Sequence, residues 1–214
     1  MAEAIRSVPN VFLLDVQSDP DHHRSVFTFV GEPEAVAEAV FRLFEAALPR
    51  IDLRHHRGEH PRMGAVDVVP FVPVRGVKMA DCVELAKKVG AEIWRRFHVP
   101  VYLYGEAATR PERADLSEIR KGEFEGFFEK IKDPQWAPDF GEPVVHPTAG
   151  VTAVGAREFL IAFNVNLGTS DLRVAKEIAK AVRFSSGGLR YVKALGMELK
   201  ERGIVQVSMN LTNF

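Results

Sequence analysis

Apolar positions along the chain follow two periods. Short continuous or alternating runs read as strands at 11–16 (Val-Phe-Leu-Leu-Asp-Val), 25–30, 100–104, 151–154, 159–167 and 204–211. Elsewhere the spacing is three to four. Pro33 opens a helix whose stripe is Val36, Val40, Phe44 and Ala47, and Pro49 ends it. Asp81 and Glu84 have capping-box spacing ahead of the face Cys82, Ala86, Val89, Ile93 and Phe97. Asp115 and Glu118 start a further helix that leads into Phe124, Phe127, Phe128 and Ile131. A last helix over 171–184 carries Leu172, Ala175, Ile178, Ala179 and Val182. The run 65–74 reads as a strand, and its prolines, Pro70 and Pro73, place it at a sheet edge or in a bulge. Turns are expected at 18–21, at Gly155 and at Gly187-Gly188.

Helices and strands interleave, with hairpins as well as crossovers, so the expected class is α+β, a sandwich with helices on one sheet face. The chain divides near residue 157. The second part reads as strand, helix and strand only, too little to close a core alone. It must lean on the first part, on another copy or on further sequence. Its apolar strand faces, such as Val205, Val207 and Met209, would then be exposed, and at least a dimer is expected.

Composition adds mainly exclusions. Of the 214 residues, 46% are apolar and 27% charged, ordinary for a globular protein with a real core. A net charge of −1 gives no global field for nucleic acid or an anionic membrane. The single cysteine, Cys82, rules out an intrachain disulfide and a Cys-based zinc cluster, and reads as a core filler. There is no apolar run of signal-peptide or membrane-span length, so the cytoplasm is the expected compartment.

The chemistry-bearing residues cluster in polar segments. Residues 54–62 hold three histidines and three arginines. One reading is a solvated loop. A second is a metal site using His56 and His60, but four-residue spacing needs a helix, which Gly58 and Pro61 disfavour. The third is a catalytic base, since imidazole titrates near neutral pH, with flanking arginines suited to an acidic substrate. Asp21-His22-His23-Arg24 reads as a structural turn. Residues 133–150 carry four prolines and no periodicity, and read as a binding loop. Asn164, Asn166 and Asn210 sit towards strand ends, where their amides either cap the strand or meet a ligand.

Taken together, these segments resemble one family. Gly58-Glu59-His60-Pro61-Arg62-Met63-Gly64 followed by Asp67-Val68-Val69-Pro70-Phe71-Val72-Pro73-Val74 is similar to the active-site stretch of glutamate formimidoyltransferase. The same domain opens the bifunctional formimidoyltransferase-cyclodeaminase. Arg24-Ser25-Val26, Thr28-Phe29-Val30-Gly31, residues 100–108, Trp136-Ala137-Pro138-Asp139-Phe140-Gly141 and residues 159–167 also match, in order.

The resemblance implies two ferredoxin-like α/β sandwich subdomains with folate in a tunnel between them. They would be an N-terminal subdomain at 1–157, beginning inside its first helix and without the preceding strand, and the start of a C-terminal subdomain at 158–214, truncated at Phe214. It implies transfer of the formimino group from N-formimino-L-glutamate to N5 of tetrahydrofolate, giving 5-formiminotetrahydrofolate and glutamate, within histidine degradation and one-carbon metabolism. His60 takes the place of the catalytic histidine. The folate-binding stretch falls on Gly141, Glu142, Pro143, Val144, Val145, His146, Pro147, Thr148, Ala149 and Gly150. Arg62 would contact a carboxylate or stabilise the adduct. Tetrahydrofolate is the co-substrate, no metal is implied, the partners are small molecules, and the expected assembly is a homodimer. Alternatives are a glutamate formyltransferase using 5-formyltetrahydrofolate, a non-catalytic folate-binding or dimerising remnant, and a histidine-dependent metallohydrolase.

Overall fold

The computed structural model describes all 214 residues, Met1–Phe214. They form two compact units. The first comprises Met1–Ser18, Arg24–Arg57 and Pro61–Arg157, and the second Asp19–His23, Gly58–His60 and Glu158–Phe214. The class is α+β, as the interleaved periodicities require. No helix is long and apolar enough to cross a membrane.

The first unit runs α1 (Ala2–Arg6), the hairpin β1 (Val11–Asp19) and β2 (Arg24–Gly31), α2 (Pro33–Ala47), β3 (Val68–Phe71), α3 (Met79–Phe97), β4 (Val101–Gly105), α4 (Leu116–Arg120), α5 (Glu123–Lys130) and β5 (Thr152–Ala156). Its main sheet is parallel, in the order β3-β5-β4. Both faces are covered, so successive residues of one strand enter different cores. Val69, Phe71, Leu103 and Val154 pack with Val40, Phe44, Val89 and Ile93 of α2 and α3. Tyr102, Tyr104 and Ala153 pack with Ile119, Phe124, Phe127 and Ile131 on the other side. Each such aliphatic or aromatic burial contributes about 1.5–3 kcal/mol.

Pro70 is accommodated because β3 is an edge strand, shorter than the run that predicts it. Gly155 is not a turn. It lies inside the central strand β5, where an added Cβ would fall 2.4 Å from the Tyr104 carbonyl oxygen and against its ring. Helix α3 begins earlier than the Asp81/Glu84 spacing indicates: Lys78 is the N-cap, and its N–H donates to Asp81 Oδ2 at 2.8 Å. Asp115 does cap α4 by accepting the Ser117 N–H, but the chain turns at Lys121-Gly122 and α5 starts afresh. That break leaves Phe128 41% exposed while Phe124 and Phe127 are buried.

The second unit has a strand more than its periodicity shows: β6 (Leu160–Leu167), α6 (Leu172–Val182), β7 (Val192–Leu199) and β8 (Ile204–Thr212). The sheet is antiparallel, in the order β6-β8-β7. Val205 and Val207 are not exposed. They lie under Ala175 and Ala179 of α6, with Met209 partly buried beside them, so the argument for a dimer from these residues fails. Because α6 covers β7 and β8, the apolar residues left exposed on that face belong to β6: Ile161, Phe163 and Val165. Ile178 of the expected helix stripe is 38% exposed on the flank of α6.

A buried ion pair holds the irregular stretch that follows α5. Arg113, 1% exposed, donates to Asp139 Oδ2 at 2.9 Å and to the carbonyls of Gln135 and Ala137. Asp139 also accepts the Leu103 N–H of β4 and the Thr109 hydroxyl. Removing one member of such a pair strands the other charge. Asp139→Ala is therefore expected to lower unfolding free energy by about 3–5 kcal/mol, measured by urea denaturation.

Candidate active site

His60 belongs to the second unit, on a three-residue piece whose frame is set by two neighbouring turns. The turn after β1 accepts the Glu59 N–H on the Asp21 carbonyl at 3.0 Å. Gly58 fits there because a Cβ would lie 2.6 Å from both the His22 carbonyl oxygen and the His23 Cβ. The turn between β7 and β8 contributes the second set of contacts: the Glu201 N–H donates to Asp21 Oδ1 at 3.1 Å, and Lys200 Nζ pairs with Glu59 at 2.5 Å. That carboxylate raises the Lys200 pKa. Arg202 reaches Asp19 at 3.5 Å and Asp21 at 3.8 Å.

Beside His60 stands a second imidazole. The ring centroids of His22 and His60 are 6.2 Å apart, with planes inclined at 51°. His22 is 7% exposed, and Asp19 Oδ1 takes both its backbone N–H at 2.9 Å and its Nδ1 at 2.7 Å. Burial pushes the Asp19 carboxyl up, but the two hydrogen bonds from His22, with the charges of His22 and Arg202, hold it below its usual value. An ionised carboxylate can only accept, so His22 carries a hydrogen on Nδ1. No group of three or more His, Cys, Asp or Glu residues is arranged to hold a metal ion, and His56 and His60 are not joined by a helix.

The residues after His60 belong to the first unit. Arg62 Nε donates to His56 Nδ1, and its guanidinium binds Glu123 at 2.8 Å and Glu125 at 2.6 Å. It already carries two carboxylates from α5, so a substrate carboxylate would have to displace one. Its position makes it a staple between this loop and α5. Asp67 Oδ1 accepts the Met63 and Gly64 N–H groups at 2.8 and 3.0 Å, and Oδ2 accepts from Arg120. Here the segment meets the end of the 141–150 loop. Gly64 and Gly150 are bridged, with the Val151 N–H on Met63 O and the Ala65 N–H on Ala149 O. A Cβ on Gly64 would lie 2.0 Å from Val151 O, and one on Gly150 2.1 Å from Met63 O. No side chain fits at either position.

Within the loop, Gly141 takes φ +119° against the Trp94 ring, Val145 is buried, and Val144 projects with 65% exposure. The turn His146–Gly150 closes on backbone hydrogen bonds in both directions. His146 Nδ1 accepts the N–H groups of Ala149 at 3.0 Å and Thr148 at 3.4 Å. Burial, then the charge of His98, lowers the His146 pKa. The ring is thus neutral, with its hydrogen on Nε2.

Sequence reading singles out His60 and the 141–150 loop, takes the turn that holds Asp19 and His22 as structural, and assigns Asp67 no role of its own. The one signal for His22 is an aspartate three residues earlier, the spacing of an Asx-type turn. Asn164, Asn166 and Asn210 share the sheet face opposite α6, where Asn166 Oδ1 accepts from Gln206 at 2.8 Å.

The neutral His146 makes stability depend on pH. With a folded pKa below the ordinary 6.5, the unfolded chain takes up the proton first as pH falls. His146's contribution is therefore intact above 6.5 and lost below it. Denaturation at about pH 7.5 and about pH 5.5 should show this loss. His146→Asn, which keeps an acceptor for the turn but cannot titrate, should show a smaller difference between the two conditions.

Comparison with known proteins agrees along the whole length. The formiminotransferase domain, N-terminal subdomain, matches residues 1–157, and the formiminotransferase domain matches 162–214. Glutamate formimidoyltransferase of Streptococcus pyogenes serotype M1 is 53% identical over 209 residues, 98% of this chain and 70% of that protein. The protein of the same name from Thermoplasma acidophilum is 50% identical over 214 residues, 99% of this chain and 70% of that one. Formimidoyltransferase-cyclodeaminase of Rattus norvegicus is 47% identical over 220 residues, all of this chain but 40% of the rat protein. With both subdomain models matched in order, and half the residues shared with two glutamate formimidoyltransferases, the chain belongs to the formiminotransferase family.

Proposed function

We propose that this chain is a folate-dependent transferase that moves the formimino group of N-formimino-L-glutamate to N5 of tetrahydrofolate. The observation that carries this reading is 53% and 50% identity with two glutamate formimidoyltransferases over 98% and 99% of the chain. In this reaction N5 attacks the amidine carbon. The tetrahedral adduct then collapses to 5-formiminotetrahydrofolate and glutamate once N5 has lost its proton and the glutamate nitrogen has gained one. His60 is the group that takes and returns that proton, a role an imidazole fills near neutral pH. The Glu59 N–H just before it is held on the Asp21 carbonyl, and the Asp21 carboxylate accepts the Glu201 N–H, which supports a base carried on an anchored segment.

The Gly141–Gly150 loop is the folate-binding segment. It offers an Nε2–H donor on a neutral His146 and an apolar side chain, Val144, projecting from a closed turn. This suits a flat, uncharged heteroaromatic ring better than a phosphate or a metal. Purified protein should convert formiminoglutamate and tetrahydrofolate, and the same assay with 5-formyltetrahydrofolate and glutamate distinguishes the formyl reaction. His60→Ala should lower turnover by about a hundredfold or more while folate binding, measured by calorimetry, stays near that of the parent. Near-normal turnover in that variant would remove His60 from the role.

A further inference from the structure

We infer that His22, oriented by Asp19, is the positioning residue for His60. The inference rests on the transfer reading above for its kinetic consequence, but its structural part stands on geometry alone. His22 lies in a polar turn between two exposed strands, yet its side chain is 8% exposed. An imidazole buried there would be costly without a partner, and Asp19 meets that cost at Nδ1 with a 2.7 Å hydrogen bond. The same Asp19 oxygen takes the His22 N–H at 2.9 Å, so ring and backbone are pinned together. The turn itself is clamped by Glu59, Glu201 and Arg202, through contacts to Asp19 and Asp21. His60 is on the strand of chain that this clamp also holds, with its ring 6.2 Å from that of His22, inside the range of tilted ring pairs.

The arrangement repeats the logic of a base held by a third group, with one difference. The carboxylate locks an intermediate imidazole, and that imidazole flanks the base. His22 keeps the His60 ring in one orientation, and the Asp19–His22 pair steadies the positive charge that His60 acquires when it holds the proton. His22 makes no covalent step of its own.

The test uses His22→Phe, which keeps a flanking ring but cannot bond Asp19, together with Asp19→Asn. Turnover should fall about tenfold or more in His22→Phe, with KM for both substrates unchanged, and less in Asp19→Asn. The solvent deuterium isotope effect on kcat should rise as proton transfer becomes limiting. His22→Asn, which restores a donor to Asp19, should recover part of the loss. Circular dichroism and urea denaturation separate this from a folding defect, which would lower the amount of active protein but not the isotope effect. A second readout needs no turnover: the 15N shifts of the His60 ring report which nitrogen carries its proton, and both variants should change them. Unchanged His60 shifts, or parental kcat in folded His22→Phe, would overturn the inference. A parent protein that transfers neither group, while its His60 shifts respond to His22→Phe, would overturn the transferase reading and leave the pairing standing.

Discussion

Two glycines mark a backbone crossing that admits no side chain. At Gly64 and Gly150 two segments pass so near that a single added carbon would sit about 2 Å from a carbonyl oxygen of the other segment. The crossing joins the end of the His60 motif to the end of the 141–150 loop and delivers the chain directly into β5. Asp67 gathers the Met63 and Gly64 N–H groups on one side, and Met63 O receives Val151 on the other. Central strand, loop and motif therefore share one point of registration, and none can shift without opening it.

Polar groups are used economically around that point. Arg62 carries two carboxylates of α5, Arg120 carries that of Asp67, and Arg113 holds Asp139 in near-complete burial. Irregular segments have no ladder of their own to satisfy their backbone, and at Gln135, Ala137, Met63 and Gly64 the charged side chains Arg113 and Asp67 take that place. The result is a site region built mostly from loops yet tied down by long-range hydrogen bonds. Stretches with no secondary structure are thereby held in place.

What the sequence disclosed depends on whether the signal was local. The stripe of α2 and the edge position of β3 were legible, because helical spacing and Pro70 each report on their own neighbourhood. β7 was not. Its alternation is broken by Gly196, which reads as a breaker, yet that glycine is required because α6 lies on it with Lys176 N 2.5 Å from where a Cβ would be. Gly155 misleads in the same way, as a packing glycine beneath Tyr104 rather than a turn. His60 and the 141–150 loop could be found by motif, whereas His22 could not. Its ring neighbour, His60, is 38 positions away in the chain and close only after folding. Arg62 errs in the opposite direction, since its charge was visible and its two glutamate partners were not.

The position of β5 in the chain has a consequence for how the protein is made. β3 and β4 flank it on either side, but they precede it by tens of residues and do not pair with each other. A ribosome will have released α2, β3, α3 and β4 long before the strand that unites them emerges. Until Thr152–Ala156 arrives, those two parallel edges have no partner and their apolar faces no sheet to complete. Closure of the first unit is thus a late, long-range event, and a nascent chain stopped short of Ala156 presents unpaired strand edges to any chaperone or neighbouring chain it meets.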